Sequence, residues 1–423
     1  MNKSTSVFFC MMLVLTAIIV FTPILIIASL YIPLTVIFIA MALSNKSIRY
    51  SSDKARLMLY TLLYICLCVF YKVIGISGIF PGRLLFHLFF FVCILVMLLQ
   101  PAIISTRQNL VLFYVLTIIL ILNIIENIRL CIVYPEVYLL VNRARDSDVE
   151  GINIGGAHFY DQVLFLYSIC LFGFFNCKEK ILKCFMSLCI IISLVFIFGF
   201  CLKASVLVLA AVYTYLLYFS RKAKSLPHFI FKSVIPAMVL FLIVSSFSDY
   251  ILEQLSNLFS DSRIVSRIAV LVDSDSIEAT SGNNTMDARE NLWMLSINTW
   301  TENIQNFIFG IGDHRVDWDT QTARSVGIGQ HSDFFDSFAR YGLVGMVLLF
   351  SIHTLSFKFL MSNFSKKYRI QLFAIFLLFI MQCVTKTAFD PGLGFLLFVL
   401  LLFLARILNE QSDNIMSSSL QGP

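Results

Sequence analysis

The sequence predicts an all-α, polytopic integral membrane protein, and three observations carry that prediction. Of its 423 residues, 59% are hydrophobic and only 13% are charged, whereas soluble domains carry roughly 25% charged residues. The apolar residues, with 42 phenylalanines among them, lie in long runs almost free of charge, and a run of about 20 such residues spans a bilayer. The polar residues are gathered into two long stretches, 135–157 and 249–341. The eleven cysteines fall in or beside the apolar runs, without a recurring metal-ligand spacing or a disulfide framework, so they read as small packing residues.

Taken in order, Val7 to Leu43 is apolar and uncharged, too long for one helix. Pro23 and Pro33 favour a break, which gives two spans. The first has no small-residue cleavage site and leads straight into the second, so it reads as a span and not as a cleaved signal. Further spans are expected at 57–74, 84–104, 109–133, 158–176, 182–201, 204–219, 232–248, 342–361, 370–387 and 392–408. That makes about twelve. The first nine occupy 1–248, a large loop fills 249–341, the last three lie in 342–410, and 411–423 is a tail.

Basic residues of short loops mark the cytoplasmic side. Lys46, Arg49, Lys54 and Arg56, then Arg107, then Lys178, Lys180 and Lys183 fall on alternate connections. Arg221, Lys222, Lys224 and Lys232, and finally Lys366, Lys367 and Arg369, continue the series. Both termini then face the cytoplasm, and both long polar loops face the opposite side. Those loops hold Arg143, Arg145, Arg263, Arg267, Arg289, Arg315, Arg324 and Arg340 but no lysine. Arginine offers a planar, permanently charged fork that grips phosphate in bidentate fashion, so the bias suggests phosphate binding. Ion pairing with acids such as Asp287, Glu290 and Asp317 is the plainer account of the same residues. The net charge of +6 lies in these loops and collars, which does not suggest a nucleic-acid partner.

In the first polar loop, Arg145 and His158 flank Gly155-Gly156, a place where backbone can approach a ligand or a neighbouring helix. Before it, Glu126 and Arg129 share a helix face near the end of a span, as an ion pair or as part of a site. In the second loop, Asp287 stands as an N-cap with Glu290 three residues on, so a helix starts there and carries Arg289 in its first turn. Leu292, Trp293, Ile297 and Trp300 give it an apolar face suited to a membrane interface. Gly310 and Gly312 allow a sharp turn presenting Asp313, His314 and Arg315, and Gly327 and Gly329 repeat the device before His331. Ser332 can cap a short helix whose Phe334, Phe335, Phe338 and Tyr341 form an apolar face, ending at Gly342.

The ordered set of Arg289 with Trp293, Gly310-Ile311-Gly312, His331-Ser332 and Tyr341-Gly342-Leu343-Val344-Gly345 resembles the O-antigen polymerase and O-antigen ligase superfamily. About sixty residues carry the motif pieces. The resemblance implies a GT-C-like, cofactor-free and metal-independent glycosyltransferase of the bacterial inner membrane, with a long periplasmic loop. It implies undecaprenyl-diphosphate-linked oligosaccharides as donor and acceptor, membrane lipid around the spans, and room for a chain-length regulator as protein partner. On that pattern Arg289 binds diphosphate and His331 acts as base or orienting group. Glu290 is a further catalytic candidate. Arg145 matches the arginine of the earlier loop less securely, and Arg315 and Arg324 rest on phosphate chemistry alone. Glu290, Asp313, Asp333 and Asp336 are alternative bases. Serine after the histidine, and the run Asp336 to Gly342, look more like polymerases than ligases. The ligase and a flippase for the same lipid-linked sugars are the competing expectations. A flippase would show internal symmetry and deep charges, neither of which is evident.

Overall fold

A computed structural model of the chain describes residues 3–21, 30–49, 51–73, 81–134, 157–201, 204–236, 286–312, 328–329, 332–385 and 388–420. These are helical nearly throughout, with no strand among them. The helices are α1 (Lys3–Phe21), α2 (Tyr31–Ser44), α3 (Lys46–Arg49), α4 (Ser52–Val73), α5 (Pro81–Ile103) and α6 (Thr106–Val133). There follow α7 (Ala157–Asn176), α8 (Lys180–Gly199), α9 (Ala204–Lys222) and α10 (Leu226–Phe229), which runs on into a π-helical turn, Ile230–Val234. Next are α11 (Met286–Thr301), α12 (Ile304–Phe309), α13 (Asp333–Asn363) and α14 (Arg369–Thr385). The last is α15 (Pro391–Phe395), continued by a π-helical turn into α16 (Leu401–Leu420).

Helices stand at every expected span position except 232–248, of which only 232–236 is described. Among the described residues, six helices are long and apolar enough to cross a membrane: Ser52–Tyr71, Arg107–Val133, Phe159–Asn176, Lys180–Gly199, Asp333–Asn363 and Pro391–Gln411. The apolar helices at Thr5–Phe21, Tyr31–Ser44, His87–Pro101 and Arg369–Val384 are shorter. Several outward faces are apolar, with Met11 67%, Phe70 58% and Leu122 59% exposed. Such surface suits hydrocarbon and not water. This is the architecture of a helical membrane protein. All eleven cysteines are free thiols, as their placement in apolar runs suggests.

The chain divides into two compact units. The first comprises Met1–Asn123, Asn291–Ser365 and Ile380–Pro423. Its centre is formed by α5 and the helix from Pro391 onward, in which every residue of 88–100 and of 391–405 is buried. A helix that is apolar all round belongs at a core of this kind. Gly394 allows the close approach, because a Cβ there would come within 3.1 Å of the Phe90 backbone. Helices α2, α4 and α15 pack on α5, and α13 packs on α4. Pro33 sits in the first turn of α2, where its missing N–H costs nothing.

The second unit comprises Ile124–Glu290 and Lys366–Phe379. Here α7 is the buried centre. It forms an antiparallel pair with α8 and binds α9 through Tyr213 Oη to the Ser168 carbonyl (3.1 Å) and Tyr167 Oη to Thr214 Oγ1 (2.7 Å). The start of α14 joins the end of α7, where Asn176 Nδ2 donates to Gln371 Oε1 (2.5 Å) and the Phe172 and Tyr368 rings meet at 6.1 Å. Glu126 and Arg129 pair with each other at 2.6 Å and 2.8 Å, on an exposed stretch of α6. That is the structural ion pair of the two readings offered by their spacing.

Candidate active site

Within the first unit, the described residues 291–312, 328–329 and 332–341 of the large polar stretch are built around the opening of α13. Ser332 caps that helix, its Oγ accepting the Phe335 N–H at 3.2 Å and donating to the Cys383 carbonyl at 3.1 Å. The next residue, Asp333, is buried, and its Oδ2 accepts the Ala388 and Phe389 N–H groups at 2.5 Å each. This fastens the start of α13 to the turn before α15, and Asp390 in turn caps α15 through the Gly392 and Leu393 N–H groups. A carboxylate that collects backbone N–H groups is a strong fastening, because charge-assisted bonds are about twice as strong as neutral ones.

Asp336 makes the second fastening. Its Oδ1 accepts the Ser296 hydroxyl at 2.7 Å, and its Oδ2 the Ser332 N–H at 3.3 Å. Ser296 Oγ also accepts the Gly329 N–H at 2.9 Å. One buried serine on α11 therefore links the helix opening to the chain just before it. Gly329 lies so close to α11 that a Cβ would collide with the Leu292 backbone. Its glycine is required for this approach and not for a turn of the Gly310 type, a correction to the expectation from sequence.

The other end of the short helix is held by backbone. Gly310, Gly312 and Gly342 all have positive φ, at 75°, 70° and 55°. Ile311 N–H donates to the Ala339 carbonyl and Gly312 N–H to the Arg340 carbonyl, both at 2.9 Å. A Cβ on Gly342 would lie 2.5 Å from Gly310 N and from the Ile308 carbonyl. The two glycine turns interlock, with no side chain between them. Gly342 breaks the helical path inside α13. Tyr71 at the end of α4 donates its hydroxyl to the Phe309 carbonyl, and its ring lies 5.8 Å from that of Tyr341.

The tryptophans of α11 pack on protein. Trp300 stacks on Phe307 (4.9 Å, 17°), lies 5.0 Å from Phe338, and donates Nε1–H to the Phe307 carbonyl at 3.1 Å. Trp293 lies 5.8 Å from Phe335. The face expected to rest on a membrane interface is instead the seam between α11, α12 and the start of α13. Helix α11 begins at Met286, so Asp287 lies inside it and is not its cap.

Of the residues singled out from sequence, Arg289 and Glu290 belong to the first turn of α11, their side chains lying outside the description. His331, Arg145, Arg315 and Arg324 lie outside the described residues. Asp333 and Asp336, which sequence offered as alternative bases, are occupied as acceptors of hydrogen bonds within the fold. Ser296 and Tyr71 were not anticipated. The signal for Ser296 was a lone hydroxyl three residues after Trp293 and four before Trp300, on the apolar face of a helix. No protein-family model matches the chain, and no curated protein matches it either.

Proposed function

We propose that the protein is a glycosyltransferase of lipid-linked glycans, a polymerase that joins oligosaccharide repeat units carried on undecaprenyl diphosphate at the periplasmic face of the inner membrane. The observation that supports this reading best is the double fastening of Ser332–Tyr341. A polar segment is locked by Asp333, Asp336 and the Gly310–Gly342 interlock to the end of an apolar helix. A lipid-borne substrate presents its head group at that level of a membrane. The residue covalently before Ser332 is His331, and α11, whose Ser296 takes part in the fastening, carries Arg289 three residues after its first residue, Met286. Rigid support of this kind is what a site needs when its groups are to be held close to a productive geometry.

The reaction transfers the anomeric carbon of the growing glycan from diphosphate to a sugar hydroxyl of the incoming repeat. In this reading His331 takes the acceptor proton as the new C–O bond forms. Arg289 neutralises the charge that develops on the departing diphosphate, with Arg145, Arg315 and Arg324 as further phosphate contacts and Glu290 beside the site. About twelve spans, with cytoplasmic termini and a periplasmic loop over 249–341, complete the proposal.

Gel separation of the surface glycan tests it. Loss of a polymerase leaves core plus a single repeat, whereas loss of a ligase leaves bare core. Deletion of the gene is expected to give the first pattern, and Arg289→Ala and His331→Ala are expected to abolish long chains while protein remains in the membrane. A bare-core pattern overturns the polymerase reading in favour of the ligase. Normal ladders from both variants overturn the residue assignment. Purified protein that moved lipid-linked sugar across liposomes without extending it would overturn the transferase altogether.

A further inference from the structure

At one end of the second unit, four helix ends meet: the last turn of α7, the first of α8, the last of α9 and the first of α14. The contacts that gather them are Asn176 with Gln371, Phe172 with Tyr368, and two cation–ring contacts. Lys180 and Lys183 open α8, Arg221 and Lys222 close α9, and Lys366 and Arg369 stand where α14 begins. The three connections that supply these residues, 177–179, 223–225 and 364–368, contain a single carboxylate, Glu179. Among the described residues, no carboxylate forms an ion pair with any of the six cations.

Aromatic faces support the cations in place of carboxylates. Arg221 Cζ lies 4.5 Å from the Phe175 ring centre and Lys183 Nζ lies 5.6 Å from that of Phe174, while Lys222 Nζ, 4.3 Å from the Tyr218 ring centre, also donates to the Tyr218 hydroxyl at 2.6 Å. The difference is chemical. A ring quadrupole attracts a cation and limits its motion without cancelling its charge, whereas a carboxylate would neutralise it and occupy its N–H groups. Arg221 and Lys222 are exposed at helix ends beside apolar flanks; Lys222 gives one N–H to the Tyr218 hydroxyl, and neither spends its charge on a carboxylate, so both can meet an outside anion. The Nε of Arg369 is buried without a hydrogen-bond partner, a donor still unused in the fold.

We propose that this end of the second unit is a binding site for anionic phospholipid head groups, with Arg221 and Arg369 contacting the phosphate and Lys180, Lys183, Lys222 and Lys366 around it. The occupant is a lipid because the cations sit at the ends of apolar helices, where acyl chains lie alongside and only the head group reaches the collar. Basic pockets between membrane helices take acidic lipids in this way. The site is independent of the transferase reading, since none of its residues belongs to the candidate active site.

Native mass spectrometry of the full-length protein in detergent, titrated with phosphatidylglycerol or phosphatidylcholine, tests the proposal. The wild type should bind phosphatidylglycerol at least tenfold more tightly than phosphatidylcholine, and the preference should fall as salt is raised. The double variant Arg221→Gln/Arg369→Gln should lose that preference while binding phosphatidylcholine as before. Lys180→Gln/Lys222→Gln, at two exposed positions, should weaken it severalfold with an unchanged Tm. Lys358→Gln removes an exposed cation that pairs with Asp53 at 3.0 Å in the first unit, and should leave lipid preference intact. Equal binding of the two lipids by the wild type, or undiminished preference in both double variants, would overturn the site.

Discussion

Asp333 receives two backbone N–H groups from a segment more than fifty residues further along the chain. Removing its carboxylate leaves both donors buried without a partner, and each such loss costs about 1–3 kcal/mol. Asp333→Ala is therefore expected to lower the thermal midpoint of the purified protein sharply, while Asp333→Asn, which keeps one acceptor oxygen, should cost less. An unchanged midpoint for Asp333→Ala would show that the fastening carries no stability. Ser296→Ala breaks the link between Asp336 and Gly329 together, with an expected cost of about 1–3 kcal/mol, read in the same melt. Because Gly329 lies two residues before His331, activity should fall further than stability if the fastening positions the site. Sequence identified Asp333 and Asp336 as acids but not as acceptors. A base and a structural acceptor look alike in sequence, and what separates them is the donor brought up by folding.

At the scale of elements, α13 shows how a break and a cap define a helix. Its 31 residues would run roughly 46 Å if straight, more than the ~30 Å of hydrocarbon, and the break at Gly342 divides that length. Gly342→Ala is expected to fail, because the new Cβ would meet Gly310 and Ile308 backbone at 2.5 Å on a φ of 55° that alanine seldom adopts. Backbone cannot yield as a side chain tip can, so little folded protein should reach the membrane, as quantitative blotting would show. A wild-type amount of Gly342→Ala would refute the interlock. A milder change, Trp300→Phe, keeps ring packing and loses the Nε1–H bond to Phe307, a cost of about 1 kcal/mol. The cap at Ser332 and the end at Gly342 were legible because both signals act within a few residues. The partner of Gly342 was not, since Gly310 lies on a separate turn.

For the whole molecule, the proposed topology, argued from the distribution of lysine and arginine, puts the connection at 223–225 and the polar stretch near 281 on opposite sides of the membrane. Substituted-cysteine labelling, in a background lacking the eleven native thiols, should modify position 225 only from the cytoplasm and position 281 only from outside. Labelling of both from one side would remove the topology on which the proposed reaction depends. The organisation of the core has a different origin. Helices α1, α5, α8 and α16 all begin or lie in strongly apolar sequence, yet residues 88–100 and 391–405 are wholly buried while α8 exposes Ile181, Leu188 and Ile191. Composition does not distinguish a helix surrounded by protein from one facing hydrocarbon, because both environments accept the same side chains.

What the sequence determined by itself is where the apolar helices lie among the described residues, with the cap at Ser332 and the break at Gly342. Those depend on hydropathy over about 20 residues and on hydrogen bonds made within one turn. The separation of lysine-bearing connections from the lysine-free loops is also legible in the sequence, and the proposed sidedness rests on it. Only the tertiary structure decided which helices lie at the centre and that the tryptophans of α11 face α12 and α13. It also decided that Asp333 and Asp336 are fastenings and that Gly310 and Gly342 meet backbone to backbone. Each of these rests on a contact between residues brought together by packing, and a side chain's own identity does not specify the donor, ring or carbonyl that the rest of the chain presents to it.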